Sequence, residues 1–345
     1  MHIRKILVSG IAAAAAASMI IGNAAYAGAQ EQTGMYRSEL TNEWISDQLM
    51  NQRPVAVMVD NESIALPHFG TAEGDVVYEL MNSTANDRIS RLMVILKDWA
   101  GITQMGNIRS TRPANIPLAA EWNAVLCHDG GPFYVDEYFA KPYAAQHFSG
   151  GFGRVNNGKA TEFTEYILPG DLQAKFAATG FPSTYNEFRN TDTSHFNFAP
   201  DQEILLSNIY GSGAHLAQEI TVPFYHNGST LRYNQQTRTY DYYEYGTLHT
   251  DAEDGQPMTF KNLLIQDCDF IQLDANGYME YQVVGYNMPG YYVTNGEAIQ
   301  ITWTKSSETD ITRYYDASGS EIQINTGKTY IALVPGDTWY EVGIH

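Results

Sequence analysis

The chain has 345 residues, of which 44% are hydrophobic and 17% are charged, and its formal net charge is −19. A disordered chain shows the opposite balance, so this composition predicts a folded protein of about two domains whose core needs neither a metal nor a disulfide. The excess of acidic residues argues against nucleic acid as a partner, because its phosphates would be repelled.

Residues 1–27 have the pattern of a secretory signal peptide. Arg4 and Lys5 precede an uncharged, apolar segment over residues 6–21, and Ala25–Ala27 is an A-x-A cleavage motif. We therefore expect export and cleavage after this motif; the alternative is an uncleaved N-terminal anchor. Removing two of the 20 cations leaves 18 against 39 acids, a net charge of −21. No later segment is apolar enough to span a membrane, so we predict a secreted or envelope-associated protein with no transmembrane span in its mature chain.

The next part of the chain alternates between strand and helix patterns. Residues 28–50 predict a linker followed by a short helix over residues 39–50. Apolar segments bounded by Gly, Pro, Asn or Asp then predict buried strands over residues 54–59, 75–80, 89–96 and 123–127. Helices are predicted over residues 113–121 and 171–178, and Gly180 is expected to end the second.

From about residue 220 the composition shifts to Tyr, Thr, Val and Ile, with turns such as Asn227-Gly228 and Asn295-Gly296 that favour hairpins. The fold class expected is α/β, or α+β, with a layered mixed-sheet N-terminal domain over residues 51–212 and a β-rich C-terminal domain over residues 213–345. Strand alternation places the Tyr240 and Tyr242 rings on one face.

Signals for cofactors and for covalent chemistry are weak. The chain contains no G-x-S-x-G, H-E-x-x-H, G-x-G-x-x-G or Walker motif, so no cofactor and no metal site are predicted. Cys127 and Cys268 lie in separate apolar segments. Export permits a disulfide between them, but two buried free thiols are favoured.

The strongest local feature lies at residues 106–113, where Arg109 and Arg112 bracket Ser110 and Thr111 just before a predicted helix. Either hydroxyl is placed to cap that helix. Two guanidinium groups beside a helix N-terminus predict a pocket for a carboxylate or a phosphate.

Further polar residues stand at the ends of the predicted strands: Asp60, Asn61, Glu79, Arg91, His128 and Asp129. If these ends share one edge of a sheet, carboxylate, imidazole and guanidinium groups converge there. The alternative to a ligand-binding pocket is that Arg109 and Arg112 pair with the protein's own carboxylates, Asp60 or Glu79, and hold the core together.

Motifs along nearly the whole mature chain resemble those of the YerB-like family, a group of bacterial exported or lipid-anchored proteins that carry a domain-of-unknown-function label. In the first half these motifs are Arg53–Asn61, Asp75–Glu79, Arg91–Met93, Ile108–Pro113 and His128–Gly131. In the second half they are Tyr240–Asp241, Gly246–Asp251, Lys261–Ile265, Ile301–Trp303 and Gly327–Tyr330. The resemblance implies a layered α/β fold with N- and C-terminal domains, and no activity.

The chain departs from the family pattern in two respects. It lacks the lipobox cysteine of the lipoprotein members. The Pro-His-Asn stretch expected in the middle of the chain is replaced by residues 158–166.

Three functional hypotheses follow. The first is an extracytoplasmic binding or accessory protein of the cell envelope that holds an anionic or polar small ligand, such as a cell-wall fragment, in a cleft of the N-terminal domain. The residues proposed to line that cleft are Arg109, Ser110, Arg112, Asp60, Asn61, Glu79, Arg91 and His128. The second is an envelope hydrolase acting on cell-wall fragments, with His128 as base and Asp129 or Glu79 orienting it. The third is a structural interaction module, so whether the protein is an enzyme stays open.

Overall fold

The structure is a computed structural model that describes residues 32–191, 194–200 and 202–345, so the predicted signal peptide lies outside the described residues. The strands of the first half are β1 Met35–Arg37, β2 Trp44–Ser46, β3 Val55–Asp60, β4 Val76–Met81, β5 Ser90–Leu96, β6 Met105–Gly106, β7 Val125–His128, β8 His147–Ser149, β9 Gly153–Arg154 and β10 Glu165–Ile167. The helices are α1 Asn115–Ala120, α2 Asp136–Phe139, α3 Asp171–Thr179 and α4 Leu206–Tyr210.

The second half consists mostly of strands. They are β11 His215–Leu216, β12 Glu219–Thr221, β13 Thr230–Asn234, β14 Thr239–Glu244, β15 Thr247–Leu248, β16 Thr259–Phe260, β17 Asn262–Cys268, β18 Phe270–Gln272, β19 Met279–Tyr281, β20 Gly285–Thr294, β21 Glu297–Lys305, β22 Arg313–Tyr315, β23 Thr329–Pro335 and β24 Gly343–Ile344. Short 3-10 turns lie at Asp47–Leu49, Ser63–Ala65, Asn86–Arg88, Trp99–Gly101, Phe133–Val135, Thr161–Phe163, Gly211–Gly213 and Gly336–Glu341.

An eleven-stranded mixed sheet forms the centre of the described part of the chain. Its strand order is β11-β21-β20-β17-β23-β4-β5-β3-β7-β8, and β22 pairs with β21 beside this path. Strand β23 lies parallel to both of its neighbours, with Tyr330 opposite Leu263 on β17 and Val77 on β4. The sheet therefore joins strands from both halves of the chain.

Both faces of this sheet are covered, which explains why its central strands are continuous apolar segments rather than alternating ones. Along β3, Ala56 and Met58 pack into one core, and Val55, Val57 and Val59 pack into the other. Helix α1 lies over the first face. Helix α3 and a second sheet, with the order β15-β14-β13-β12-β24 and β16 paired to β14, lie over the second.

Local sequence signals predicted these elements well. The four expected strands correspond to β3, β4, β5 and β7, and the two expected helices to α1 and α3. Gly180 ends α3 with a φ of 68°, and Asn295-Gly296 connects β20 to β21 with both residues at positive φ. Tyr240 and Tyr242 are both buried on one face of β14.

The helix predicted over residues 39–50 is wrong. Residues 35–37 and 44–46 instead form a two-stranded hairpin, which is followed by a 3-10 turn at 47–49. Asn42 adopts a φ of 57° in the connection, and its backbone N–H donates to the Ser38 carbonyl, which closes a turn where a helix would continue. Leu40 is fully buried in the core, so tertiary packing outweighs the weak helical pattern.

The fold is richer in strands than a balanced α/β protein, and its helices are short. The predicted domain division at residues 212 and 213 stays a prediction, and the central sheet crosses it.

Within the described residues, no helix combines the length and the hydropathy that crossing a bilayer requires. Cys127 and Cys268 are both free and buried, as the favoured interpretation predicted.

Candidate functional site

Three arginines, Arg91, Arg109 and Arg112, meet at one end of the central sheet, and we call them the three-arginine cluster. Strand pairing brings the first of them into place, because Arg91 on β5 lies opposite Asp60 at the end of β3. The segment that follows β6 lies against the same end, with the Arg109 N–H donating to the Met58 carbonyl at 3.0 Å. Backbone pairing thus positions the cluster around Asp60.

Asp60 is the carboxylate at the centre of this arrangement. Its Oδ2 lies 2.6 Å from Arg109 Nε and 3.9 Å from Arg91 Nη2, and its side chain is fully buried. Burial acts to raise the pKa of Asp60, but the charges of Arg91 and Arg109 outweigh it and hold that pKa below its ordinary value. Part of the internal pairing expected from the sequence is therefore present, with Asp60 as the partner.

Arg112 has a different environment. Its Nε donates to the Asn82 carbonyl at 3.0 Å and its Nη1 to the Thr111 carbonyl at 2.9 Å, and the guanidinium lies over the Tyr278 ring at 5.1 Å. In the described part of the chain no carboxylate lies within ion-pair distance of it. Burial, and then repulsion from Arg91, lowers the pKa of Arg112 to about 9.

The helix expected to complete the anion pocket does not do so. Helix α1 begins at Asn115 and has six residues, and its N-cap position is Ala114. Neither Ser110 nor Thr111 caps it; instead the Asn115 side chain accepts from the Arg112 N–H at 2.9 Å. A helix this short contributes little dipole, so the cluster depends on its guanidinium groups alone.

The partly exposed members of the cluster are Arg109 and Arg112. The Arg109 side chain is 22% exposed, whereas that of Arg91 is 5% exposed. Ser110 is half-buried, and its carbonyl accepts from Arg91 Nη1 at 2.7 Å. Five cavities in the described part of the chain are lined by other residues, and the deep cleft expected from the sequence is not one of them.

Glu79 and Asn61 do not line this surface. Glu79 is fully buried and accepts hydrogen bonds from six side chains: Asn61, Ser90, Asn227, Ser229, Tyr242 and Tyr330. Burial raises the pKa of Glu79. Because its donors come from both halves of the chain, Glu79 is a structural centre of the core rather than a partner of the arginines or of His128.

His128 also lies apart from the residues expected to orient it. Its Nδ1 contacts the Gly130 carbonyl at 2.7 Å, and its Nε2 contacts Nδ1 of His147 at 2.9 Å. Burial lowers the pKa of His128 to about 4. The Asp129 carboxylate instead forms an ion pair with Arg154, with Oδ2 lying 3.8 Å from Nη2. The catalytic arrangement of His128 with Asp129 or Glu79 is therefore not assembled, since both ring nitrogens are engaged elsewhere.

Sequence analysis did not predict two buried polar groups, each of which joins residues from both halves of the chain. Glu121 lies 3.0 Å from the Lys305 ammonium, and both side chains are fully buried. His68, Glu244 and His249 form a second cluster, also buried. No local motif signals either group, since each is assembled by the packing of the two halves.

The fold and its paired halves define a two-part, mixed-sheet protein, and comparison with known proteins gives the family. Residues 40–182 match "Protein of unknown function (DUF3048) N-terminal domain", and residues 220–331 match the corresponding C-terminal domain. The chain belongs to this DUF3048 family, as the resemblance predicted.

A relative and a solved structure agree with this assignment. The chain is 22% identical over 314 residues to "Putative lipoprotein YerB" of Bacillus subtilis, which covers 89% of this chain and 86% of the relative. The crystal structure of the YerB protein from Bacillus subtilis superimposes with a TM-score of 0.74 at 19% identity, covering 90% of this chain and 99% of the other. At this identity the structural likeness establishes the fold.

Proposed function

We propose that this protein binds an anionic ligand, bearing a carboxylate or a phosphate, at the three-arginine cluster, and that it does so outside the cytoplasm in association with the cell envelope. The observation that carries the proposal is the position of Arg112. Its half-buried guanidinium lies in a group of three cations, and its hydrogen bonds go to backbone carbonyls rather than to a carboxylate.

Electrostatics supports an anionic occupant. Arg91 and Arg109 share one carboxylate and Arg112 has none within ion-pair distance, so a cationic excess remains at one end of the sheet in a chain whose net charge is −19. Glu62 stands nearby as a second acid, and burial followed by the charge of Asp60 raises its pKa. A bound carboxylate or phosphate would relieve the repulsion among the guanidinium groups and form charge-assisted hydrogen bonds with them.

The location rests on two further observations. Residues 1–27 carry the pattern of a secretory signal peptide. The name of the YerB relative describes a lipoprotein. A cell-wall fragment with exposed carboxylates is the ligand class that this compartment and this cluster favour.

A thermal-shift titration with phosphate, citrate and muropeptides tests the proposal, with sodium chloride at matched ionic strength as the reference. We expect at least one of these anions to raise the melting temperature of the wild type. The variant Arg112→Gln should lose that rise, because it removes the cation that lacks an acidic partner. Arg232→Gln is the matched control, since Arg232 is 51% exposed and paired with Glu219.

Two results would refute the proposal. One is a wild type whose melting temperature responds to none of the anions beyond the chloride reference. The other is an equal response in Arg112→Gln and Arg232→Gln, which would place any anion binding elsewhere on the surface.

A further inference from the structure

His68, Glu244 and His249 form a buried cluster on the second face of the central sheet. One ligand atom from each residue lies within 4.8 Å of the others. The exposed fractions are 0% for His68, 2% for Glu244 and 4% for His249. His68 belongs to the N-terminal family domain and the other two to the C-terminal one, so the cluster joins the two matched segments.

The hydrogen bonds of His68 leave one ring nitrogen available. Its Nε2 lies 2.5 Å from the Asp60 carbonyl, which can only accept, so Nε2 carries the proton and Nδ1 carries a lone pair. His68 Nδ1 is buried and has no hydrogen-bond partner among the described residues. A histidine whose far nitrogen donates to a backbone carbonyl is oriented as metal-binding histidines are.

The other two residues show a similar arrangement. His249 Nε2 lies 3.0 Å from Thr71 Oγ1, and His249 Nδ1 lies 2.7 Å from Glu244 Oε1. If Nε2 donates to the threonine, the Nδ1 lone pair faces the carboxylate, and a cation bound between these two acceptors removes their repulsion. Glu244 Oε2 is likewise buried without a partner in the described part of the chain.

Unpartnered buried polar atoms are costly, and here two of them belong to groups that ligate metals. We propose that His68, Glu244 and His249 bind a zinc ion. Two imidazoles and one carboxylate are ligands that zinc accepts in tetrahedral geometry. Bond lengths near 2.0–2.1 Å require ligand atoms about 3.4 Å apart. Ligand atoms within 4.8 Å of one another therefore approach by at most about 1.5 Å, and His249 Nδ1 and Glu244 Oε1, which are 2.7 Å apart, separate slightly.

The burial of all three ligands indicates a structural rather than a catalytic ion, bound as the chain folds. Three protein ligands leave one position, which a water molecule fills. Such an ion would cross-link the segment after β3 to the β14–β15 hairpin. The proposal is independent of anion binding, because it concerns buried residues and a cation.

The test uses the full chain, without a polyhistidine tag, produced in medium supplemented with zinc sulfate and dialysed without chelator. Elemental analysis should find about one zinc ion per chain. Zinc-edge X-ray absorption should show an imidazole-containing shell with nitrogen and oxygen ligands. His249→Gln and Glu244→Gln should each lower the zinc content at least about tenfold, whereas His215→Gln, which alters an exposed histidine, should leave it unchanged.

The absorption spectrum keeps the test decisive even if both ligand variants fail to fold, since it uses the wild type alone. A wild type that contains no zinc after this preparation would overturn the proposal, and would indicate a buried water or a shared proton at these atoms. Zinc bound without imidazole ligands, or retained equally in folded His249→Gln and His215→Gln, would also overturn it.

Discussion

Neutralising Glu121 should destabilise the protein strongly, because this carboxylate compensates a buried ammonium. Glu121 Oε2 accepts from Lys305 Nζ at 3.0 Å and from the Thr312 hydroxyl and N–H at 2.8 and 3.1 Å. Its Oε1 accepts from the Tyr78 hydroxyl at 2.5 Å. Both charged side chains are fully buried, so Glu121→Gln leaves the Lys305 charge without a counterion and without water.

The magnitude follows from the cost of an unpaired buried charge. Removing one partner of a buried ion pair typically costs about 3–5 kcal/mol, a large share of a total stability of about 5–15 kcal/mol. An unfolding entropy of about 2.1 cal/mol/K per residue amounts to about 0.7 kcal/mol/K for the described part of the chain, so the melting temperature should fall by about 4–7 °C.

Urea unfolding at pH 7, followed by tryptophan fluorescence, measures the change. Glu308→Gln is the matched control, because Glu308 pairs with Lys141 at 2.6 Å where both side chains are about one-third exposed, and such pairs contribute about 0–1 kcal/mol. If Glu121→Gln costs no more than Glu308→Gln, the reasoning about the buried pair is refuted. The double variant Glu121→Gln/Lys305→Met should recover much of the loss, because no unpaired charge remains.

The same residue makes stability depend on pH. Burial acts to raise the pKa of Glu121, but the Lys305 charge, the neighbouring His195 ring and the hydrogen bond from Tyr78 hold it well below its ordinary value of 4.5. The unfolded chain therefore binds more protons than the folded chain in acid. The stabilising contribution is complete above about pH 4.5 and declines as the pH falls below that value. Glu121→Gln should flatten this acid limb of the stability profile.

Three further predictions concern a buried hydrogen bond, the two cysteines and the end of α3. Tyr330→Phe removes a 2.7 Å hydrogen bond to the buried carboxylate of Glu79 and should cost about 1.5–3 kcal/mol in urea unfolding. Burial raises the pKa of both Cys127 and Cys268, so neither should react with a thiol reagent at pH 8 until the chain is unfolded, when both should react. Gly180→Ala forces a φ of 68° on a residue with a Cβ and should cost about 1 kcal/mol, measured in the same way.

For each of these three predictions, a specific result would contradict the reasoning. Tyr286→Phe alters a tyrosine that is 64% exposed and should change stability little, so an equal effect at Tyr330 would contradict the role given to its hydrogen bond. Rapid thiol reaction in the folded protein would show that the core opens readily. A neutral or stabilising Gly180→Ala would mean that the end of α3 adopts another conformation.

The sequence by itself determined the local elements of this protein. Short apolar segments between turn residues predicted β3, β4, β5 and β7, because strands buried on both faces need no polar alternation. Gly180 and Asn295-Gly296 predicted a helix end and a hairpin, because positive φ is a property of the residues themselves. The order of short motifs also predicted the family.

Only the tertiary structure decided which charged groups meet. Asp60 ends β3 and Glu79 lies near the end of β4, so both follow similar apolar segments. Strand pairing nevertheless places Asp60 beside Arg109 and encloses Glu79 among six neutral donors. The pair of Glu121 with Lys305, and the cluster of His68 with Glu244 and His249, join residues more than 170 positions apart. Such contacts depend on how the two halves share one sheet, and no periodicity or spacing along the chain encodes that pairing.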